Sequence, residues 1–132
     1  MKQEKSDYII NWLYRAREDL AVMKNLHNSN PSGYTVTKCF HAQQAVGKYP
    51  KAFLAFHDVD FPRTHDVDYL VMECQKIDSE SFNLDLKSLT EFGVSVRYPD
   101  DFFIPSPDES NEYTEIAIEV SKIVEKLIAF HE

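Results

Sequence analysis

The chain has 132 residues, 43% of them hydrophobic, and a formal net charge of −8. This length suffices for a single domain over residues 1–132 with its own core. The acidic balance disfavours sequence-independent binding to nucleic acid, which requires a basic surface. No window approaches ~18 uninterrupted apolar residues, so we expect no membrane span. Cys39 and Cys74 lack metal-site spacing and are expected to be buried free thiols of a cytoplasmic protein.

Helical periodicity predicts the elements of the first half of the chain. Apolar residues recur every three or four positions over about residues 6–27, which predicts a first helix. Turn-forming residues at 28–33 end it, and a second helix is predicted over about residues 34–57. Thr64 is predicted to cap a third helix that ends near Ile77.

The second half is predicted to add two more helices. A fourth helix near residues 83–96 is expected to end before Pro99, because proline disfavours helical backbone in the residue preceding it. Ser106 and Glu109 form a capping box with Pro107 at the first helical position, so a last helix is predicted to begin there. No segment alternates apolar and polar residues in the manner of a strand. The sequence therefore predicts an all-α, five-helix up-and-down bundle.

The second helix carries a narrow polar strip on an otherwise apolar surface. At 100° per residue its members fall within about 80° of one another. The strip consists of His41, Gln44, Lys48 and Lys51. Two interpretations are open: an ordinary solvated face, or a local anion site in an acidic protein. Gln43 points elsewhere and is expected to be a core amide with a hydrogen-bond partner.

The sequence also gives expectations for four single residues outside the polar strip. Pro50 is expected to kink the second helix by removing one backbone hydrogen bond. Asp19 is expected on the outer face of the first helix, in ion pairs between residues four apart. His65 is expected to cap the third helix or to face solvent. Arg97 is expected either to pair with a nearby carboxylate or to contact a ligand.

Several kinds of chemistry lack their motifs in this sequence. The chain has no Cys-x-x-Cys, no His-Glu-x-x-His, and no Glu-x-x-His pairs of a carboxylate-bridged metal bundle. Neither glycine fingerprint for phosphate binding occurs. We therefore predict neither a metal site nor a cofactor.

The chain resembles the HEPN domain family of helical proteins in four segments that occur in the family's order. These are the first-helix pattern around Trp12, the Cys39–Ala45 run with its lysines, the loop at 61–66 and the Arg97–Asp100 stretch. Two positions depart from the family pattern: Gly47 stands where a glutamate is usual, and Pro50 stands where a large aliphatic residue is usual. Such residues weaken a helix by ~1 and ~3 kcal/mol respectively.

The resemblance implies a five-helix bundle that dimerises and has a nucleotide- or RNA-related role, often beside a separate nucleotidyltransferase. Some members are ribonucleases with an arginine followed, after four to six residues, by a histidine. None of the four arginines, at positions 15, 17, 63 and 97, has this spacing. We therefore predict a non-catalytic nucleotide-binding module, with the groove formed by the strip together with Arg97 and Tyr98.

Two alternatives to the binding module stay open. One is a protein–protein interaction subunit of a toxin–antitoxin-type pair, in which the polar strip faces the partner. The other is a divergent ribonuclease that uses an unusual set of residues.

Overall fold

The computed structural model describes residues 3–87, 89 and 104–131, and this part of the chain contains four α-helices and no strand. The all-α prediction is confirmed. None of these helices combines the length and apolarity that a membrane-spanning segment requires. The helices are α1 (Gln3–Ser29), α2 (Thr35–Phe56), α3 (Val67–Ile77) and α4 (Pro107–His131).

The second helix, α2, lies at the centre and packs against each of the other three helices. Contacts at its two ends show that α1 is antiparallel to it. Near one end, Lys38 Nζ donates to the backbone oxygen of Asn30 at 2.7 Å. Near the other, Lys5 Nζ lies 2.8 Å from Asp58 Oδ2. The buried ammonium of Lys38 thus stabilises the turn that reverses the chain between α1 and α2.

The last helix, α4, runs in the same direction as α2. Cys39, near the start of α2, lies close enough to Ser110, at the start of α4, for the hydroxyl to affect the pKa of the thiol. Further along both helices, the Tyr49 hydroxyl donates to Glu125 Oε2 at 3.4 Å. The helix therefore runs opposite to α1, whereas a strictly alternating five-helix bundle would place its last helix parallel to its first.

Within the range of the predicted fourth helix, Leu89 is the one described residue in helical conformation. Residues 83–86 are non-helical, and Lys87 has a φ of 57°, in the left-handed region. The predicted start near residue 83 is therefore wrong. Most of the range 88–96 lies outside the described residues, so the count of five helices stays a prediction.

The helix starts show one prediction confirmed and one corrected. The capping box of α4 is present, because Glu109 N donates to Ser106 Oγ at 3.1 Å and Ser106 N donates to Glu109 Oε1 at 3.0 Å. At α3 the cap is Asp66 rather than Thr64, since Asp66 Oδ1 accepts from Tyr69 N at 3.1 Å. Thr64 Oγ1 instead accepts from the backbone N–H of Asp66.

Both cysteines are buried free thiols, as predicted. Burial raises the pKa of the Cys39 thiol to about 12, and burial also raises the pKa of Cys74. Cys74 Sγ donates to the Pro50 carbonyl at 3.8 Å, and α2 continues through Pro50 to Phe56. A thiol with a raised pKa stays protonated near neutral pH and is a poor nucleophile.

Candidate functional site

A cleft of about 200 Å³ lies between α1, α2 and the loop that precedes α3. From α1 it is lined by Trp12 and Arg15, and from the loop by Thr64 and His65. The central helix supplies the rest of the lining: Gln43, Gln44, Gly47, Lys48 and Lys51. The cleft therefore opens along the polar strip that the sequence indicated on α2.

Asp19 joins two members of that strip to α1. Its Oδ1 lies 2.9 Å from His41 Nδ1, and its Oδ2 accepts from Lys48 Nζ at 2.7 Å. The Asp19 side chain is only 13% exposed, so both contacts are partly screened from water. The expectation that Asp19 lies on the outer face in pairs within α1 is wrong. We call Asp19, His41 and Lys48 the Asp19 network.

Two glutamines link α2 to the loop before α3. Gln43 Nε2 donates to the His65 carbonyl at 2.9 Å, and Gln43 Oε1 accepts from Gln44 Nε2 at 2.8 Å. Gln43 is buried, and its prediction as a core amide with a hydrogen-bond partner is confirmed. Since a side-chain amide has two N–H groups, one N–H of Gln44 is left to donate into the cleft.

Lys51 does not have the exposure that the solvated-face interpretation of the strip implies. It is only 8% exposed, and its Nζ lies 4.9 Å from the centre of the Trp12 ring. Within residues 3–87, 89 and 104–131, no carboxylate forms an ion pair with it. Burial lowers the pKa of Lys51, and the positive charge of Lys48 lowers this pKa further.

The charged side chains that line the cleft are cationic. Three cationic side chains line it, and no carboxylate does so among the described residues. The charge of Lys48 is balanced by Asp19, whereas Lys51 has only the face of the Trp12 ring, a cation–π contact worth about 0.5–2 kcal/mol. The indole Nε1–H of Trp12 is also buried, with no acceptor found for it. The arrangement therefore favours a small anion that accepts hydrogen bonds.

Two further hollows lie near this cleft. A depression of about 420 Å³ shares Arg15 and Lys48 with it and continues along α1 past Tyr14 and Glu18. A larger hollow of about 530 Å³ lies beyond the Trp12 ring, lined in part by Tyr8 and Phe61, whose rings contact Trp12. Its charged lining residues are Glu4, Lys5, Asp58 and Asp60. Three carboxylates against one ammonium disfavour anions there.

The structure brings together three of the six predicted site residues. Gln44, Lys48 and Lys51 line the cleft. His41 does not line it, because its imidazole turns toward Asp19. Arg97 and Tyr98 lie outside the described residues, so their predicted roles stay predictions.

Sequence reasoning did not assign six of the lining residues to the cleft. Gln43 was expected to point away from the polar strip, and Gly47 was considered only as a departure from the family pattern, yet both line the cleft. Trp12 fits the apolar periodicity of α1 and so looks like an ordinary core residue, while Arg15 looks like a member of a surface ion pair. Thr64 was considered only as a helix cap, and His65 only as a cap or a solvent-facing residue. The signals in the sequence were the pattern around Trp12 and the loop at 61–66, which both belong to the segments that resemble the HEPN family.

The described residues contain no group of three or more His, Cys, Asp or Glu side chains that could hold a metal ion.

No curated protein and no solved structure matches the chain. The family model of the HEPN domain matches residues 10–127, which is most of the sequence and includes every described residue of the cleft. The chain belongs to the HEPN domain family.

Proposed function

We propose that this HEPN domain is a non-catalytic module that binds a nucleotide or its phosphate in the cleft. The observation that carries the proposal is Lys51, a buried ammonium without a carboxylate partner in the described part of the chain. Taking a charged group out of water costs free energy unless a counter-charge compensates it. A bound phosphate oxygen supplies that counter-charge.

The groups around Lys51 suit an anion with several oxygens. The Thr64 hydroxyl accepts from a backbone N–H, which leaves its own proton to donate. Gln44 has a second N–H, and the Arg15 guanidinium uses only its Nε on Asn11 Oδ1 at 3.1 Å among the contacts described. Hydrogen bonds from charged donors to phosphate are about twice as strong as neutral ones.

The sequence supports a binding role over RNA cleavage. The arginine–histidine spacing of the ribonuclease members of the family is absent, so the usual acid or base for cleavage is missing. Both thiols are buried and protonated. By analogy with the family, we propose that the module works in the cytoplasm beside a separate small nucleotidyltransferase.

The single tryptophan of the chain makes a direct binding test possible. Because Trp12 contacts Lys51, its fluorescence reports on occupancy of the cleft. We expect pyrophosphate and ATP to change this fluorescence in a saturable way, after correction for absorbance with a free tryptophan analogue. A short RNA titrated in parallel shows whether phosphate within a polymer is also accepted.

The decisive variant is Lys51→Met, which keeps the length of the side chain and removes its charge. We expect it to lose at least about ten-fold in affinity, the equivalent of one charge-assisted hydrogen bond. Lys24→Met, an exposed lysine of α1 outside the cleft, is the matched control and is expected to bind like wild type. Equal affinities of Lys51→Met and wild type, or no binding of any of the three ligands, would overturn the proposal.

A second candidate function is a protein-interaction subunit, which includes the homodimer that the family favours. Ile10 and Tyr14 lie one turn apart on α1 and are 57% and 61% exposed, so they form an apolar patch on the surface of this helix. Sedimentation equilibrium of wild type and Ile10→Glu tests this candidate. A dimer that Ile10→Glu dissociates supports it, and a monomeric wild type removes the homodimer.

A further inference from the structure

The cleft is too small to enclose a whole nucleotide. Its volume of about 200 Å³ is below the ~300–1,000 Å³ of pockets that bury most of a drug-sized ligand. It has room for a phosphate group next to Lys51, with the remainder of the ligand outside. The direction in which that remainder leaves the cleft decides what kind of ligand the protein accepts.

The depression along α1 is a suitable place for the part of the ligand that extends out of the cleft. The depression along α1 shares Arg15 and Lys48 with the cleft, so the two spaces meet at these side chains. Tyr14 lines this depression and is 61% exposed, which leaves its ring accessible for stacking. An aromatic ring at this position provides a sequence-tolerant surface for a nucleobase.

The charged side chains that line the depression determine the orientation in which a ligand binds. Glu18 and Asp19 both line it, and no hydrogen-bond partner of Glu18 is found among the described residues. Carboxylates repel phosphate but accept hydrogen bonds from ribose hydroxyls and from base N–H groups. A ligand bound in the reverse orientation would bring its phosphate to these carboxylates and leave the ammonium of Lys51 without a counter-charge.

We propose that the site is bipartite and takes a nucleoside phosphate, with the phosphate beside Lys51 and the base stacked on Tyr14. Arg15, which lines both parts, contacts the ribose–phosphate linkage, while Lys48 stays paired with Asp19. This inference rests on the proposed function, because it requires that the cleft bind phosphate. It adds a base subsite on α1, formed by Tyr14 and Glu18, that the polar strip of α2 does not include.

Two variants at one position test the base subsite. Tyr14→Leu removes the ring but keeps an apolar side chain, and Tyr14→Phe keeps the ring. Calorimetric titrations with ATP and with pyrophosphate separate the two parts of the site. We expect Tyr14→Leu to weaken ATP binding at least about five-fold, the lower end of the range for base–aromatic stacking, and to leave pyrophosphate binding unchanged. Tyr14→Phe is expected to bind both ligands like wild type.

The outcomes distinguish this inference from the proposed function. If wild type binds both ligands and Tyr14→Leu binds ATP as tightly as wild type, the base subsite is wrong and the phosphate cleft stands. If Tyr14→Leu weakens ATP and pyrophosphate equally, Tyr14 shapes the cleft, and the base subsite is again overturned. If wild type binds neither ligand, the proposed function fails and the base subsite fails with it.

Discussion

Lys48 and Lys51 lie one helical turn apart on α2, yet their charges have opposite surroundings. Lys48 Nζ contacts Asp19 Oδ2 at 2.7 Å, and the Lys48 side chain is 25% exposed. Lys51 is 8% exposed, lies over the Trp12 ring and has no ion pair within the described residues. One lysine is neutralised within the fold, and the other is not.

This difference separates a structural cation from a cation available to a ligand. The Asp19 network holds α1 against α2, and an external anion near Lys48 would compete with Asp19 for the same ammonium. At Lys51 there is no such competitor, so an external anion adds an interaction instead of replacing one. The polar strip on α2 is therefore two different features, and the variants below are chosen to separate them.

The largest effect on stability is expected from Asp19→Ala. This change leaves His41 and Lys48 side by side without their shared carboxylate, and hydrogen bonds to charged groups contribute about 1.5–3 kcal/mol each. Because both partners keep some exposure, we expect a total loss of about 2–3 kcal/mol in the free energy of unfolding. Urea denaturation measures it.

The neighbouring carboxylate provides the control for Asp19. Glu18 is exposed and has no partner among the described residues, so Glu18→Ala is expected to change stability by less than about 0.5 kcal/mol. A loss for Asp19→Ala no larger than that for Glu18→Ala would show that the network does not hold the two helices together.

The next effect is the difference between the two lysines. Lys48→Met is expected to lower the free energy of unfolding by about 1–2 kcal/mol, since it leaves Asp19 with a single partner. Lys51→Met is expected to leave the free energy of unfolding unchanged or to raise it, because the change removes a buried charge. The same denaturation curves test both variants, and an equal loss in both would erase the distinction between the lysines.

The lysine difference also has a pH signature. The pKa of Lys51 is lowered in the folded state, so the unfolded chain binds more protons between this lowered pKa and the ordinary value of 10.5. Wild-type stability relative to Lys51→Met is therefore expected to rise as the pH rises through that window. Unfolding at a series of alkaline pH values measures the difference, and a relative stability that falls with pH would contradict the burial of the charge.

The smallest effect is expected from Gly47→Ala, which changes the cleft and leaves the Asp19 network intact. Gly47 lies inside α2, and an added Cβ would meet only Val67 Cγ1, at an ordinary 3.7 Å. Alanine should therefore stabilise the helix by about 0.5–1 kcal/mol. Because Gly47 lines the cleft, pyrophosphate affinity should fall at the same time. Thermal unfolding and calorimetry check the two results, and a loss of stability would mean that the helix is strained here.

Much of the fold could be predicted, because its signals are local. The capping box at Ser106 and Glu109 needs only residues three apart, and it correctly gave the start of α4. The bounds of α2 were predicted to within a residue from its apolar periodicity. The predicted start of the fourth helix was wrong because residues 83–86 are non-helical despite an apolar spacing that fits a helix.

The site was harder to predict because it depends on contacts between helices. Periodicity placed Lys51 correctly on one face of α2, but no local signal shows that the Trp12 ring covers that face. Asp19 reaches residues 22 and 29 positions away, whereas local reasoning considered only partners within its own helix. Gln43 was the exception, because a buried amide must have a partner whatever that partner is.

The most direct test of the central claim is an NMR pH titration of the lysine side-chain ammonium groups, with Lys51→Met used for assignment. We predict that Lys51 titrates below 10.5 in the free protein and that saturating pyrophosphate raises its pKa, because a bound anion favours the charged form. The ammonium signal of Lys48, already paired with Asp19, should move less. An unchanged Lys51 titration at saturating pyrophosphate, or equal movement of both signals, would contradict the account.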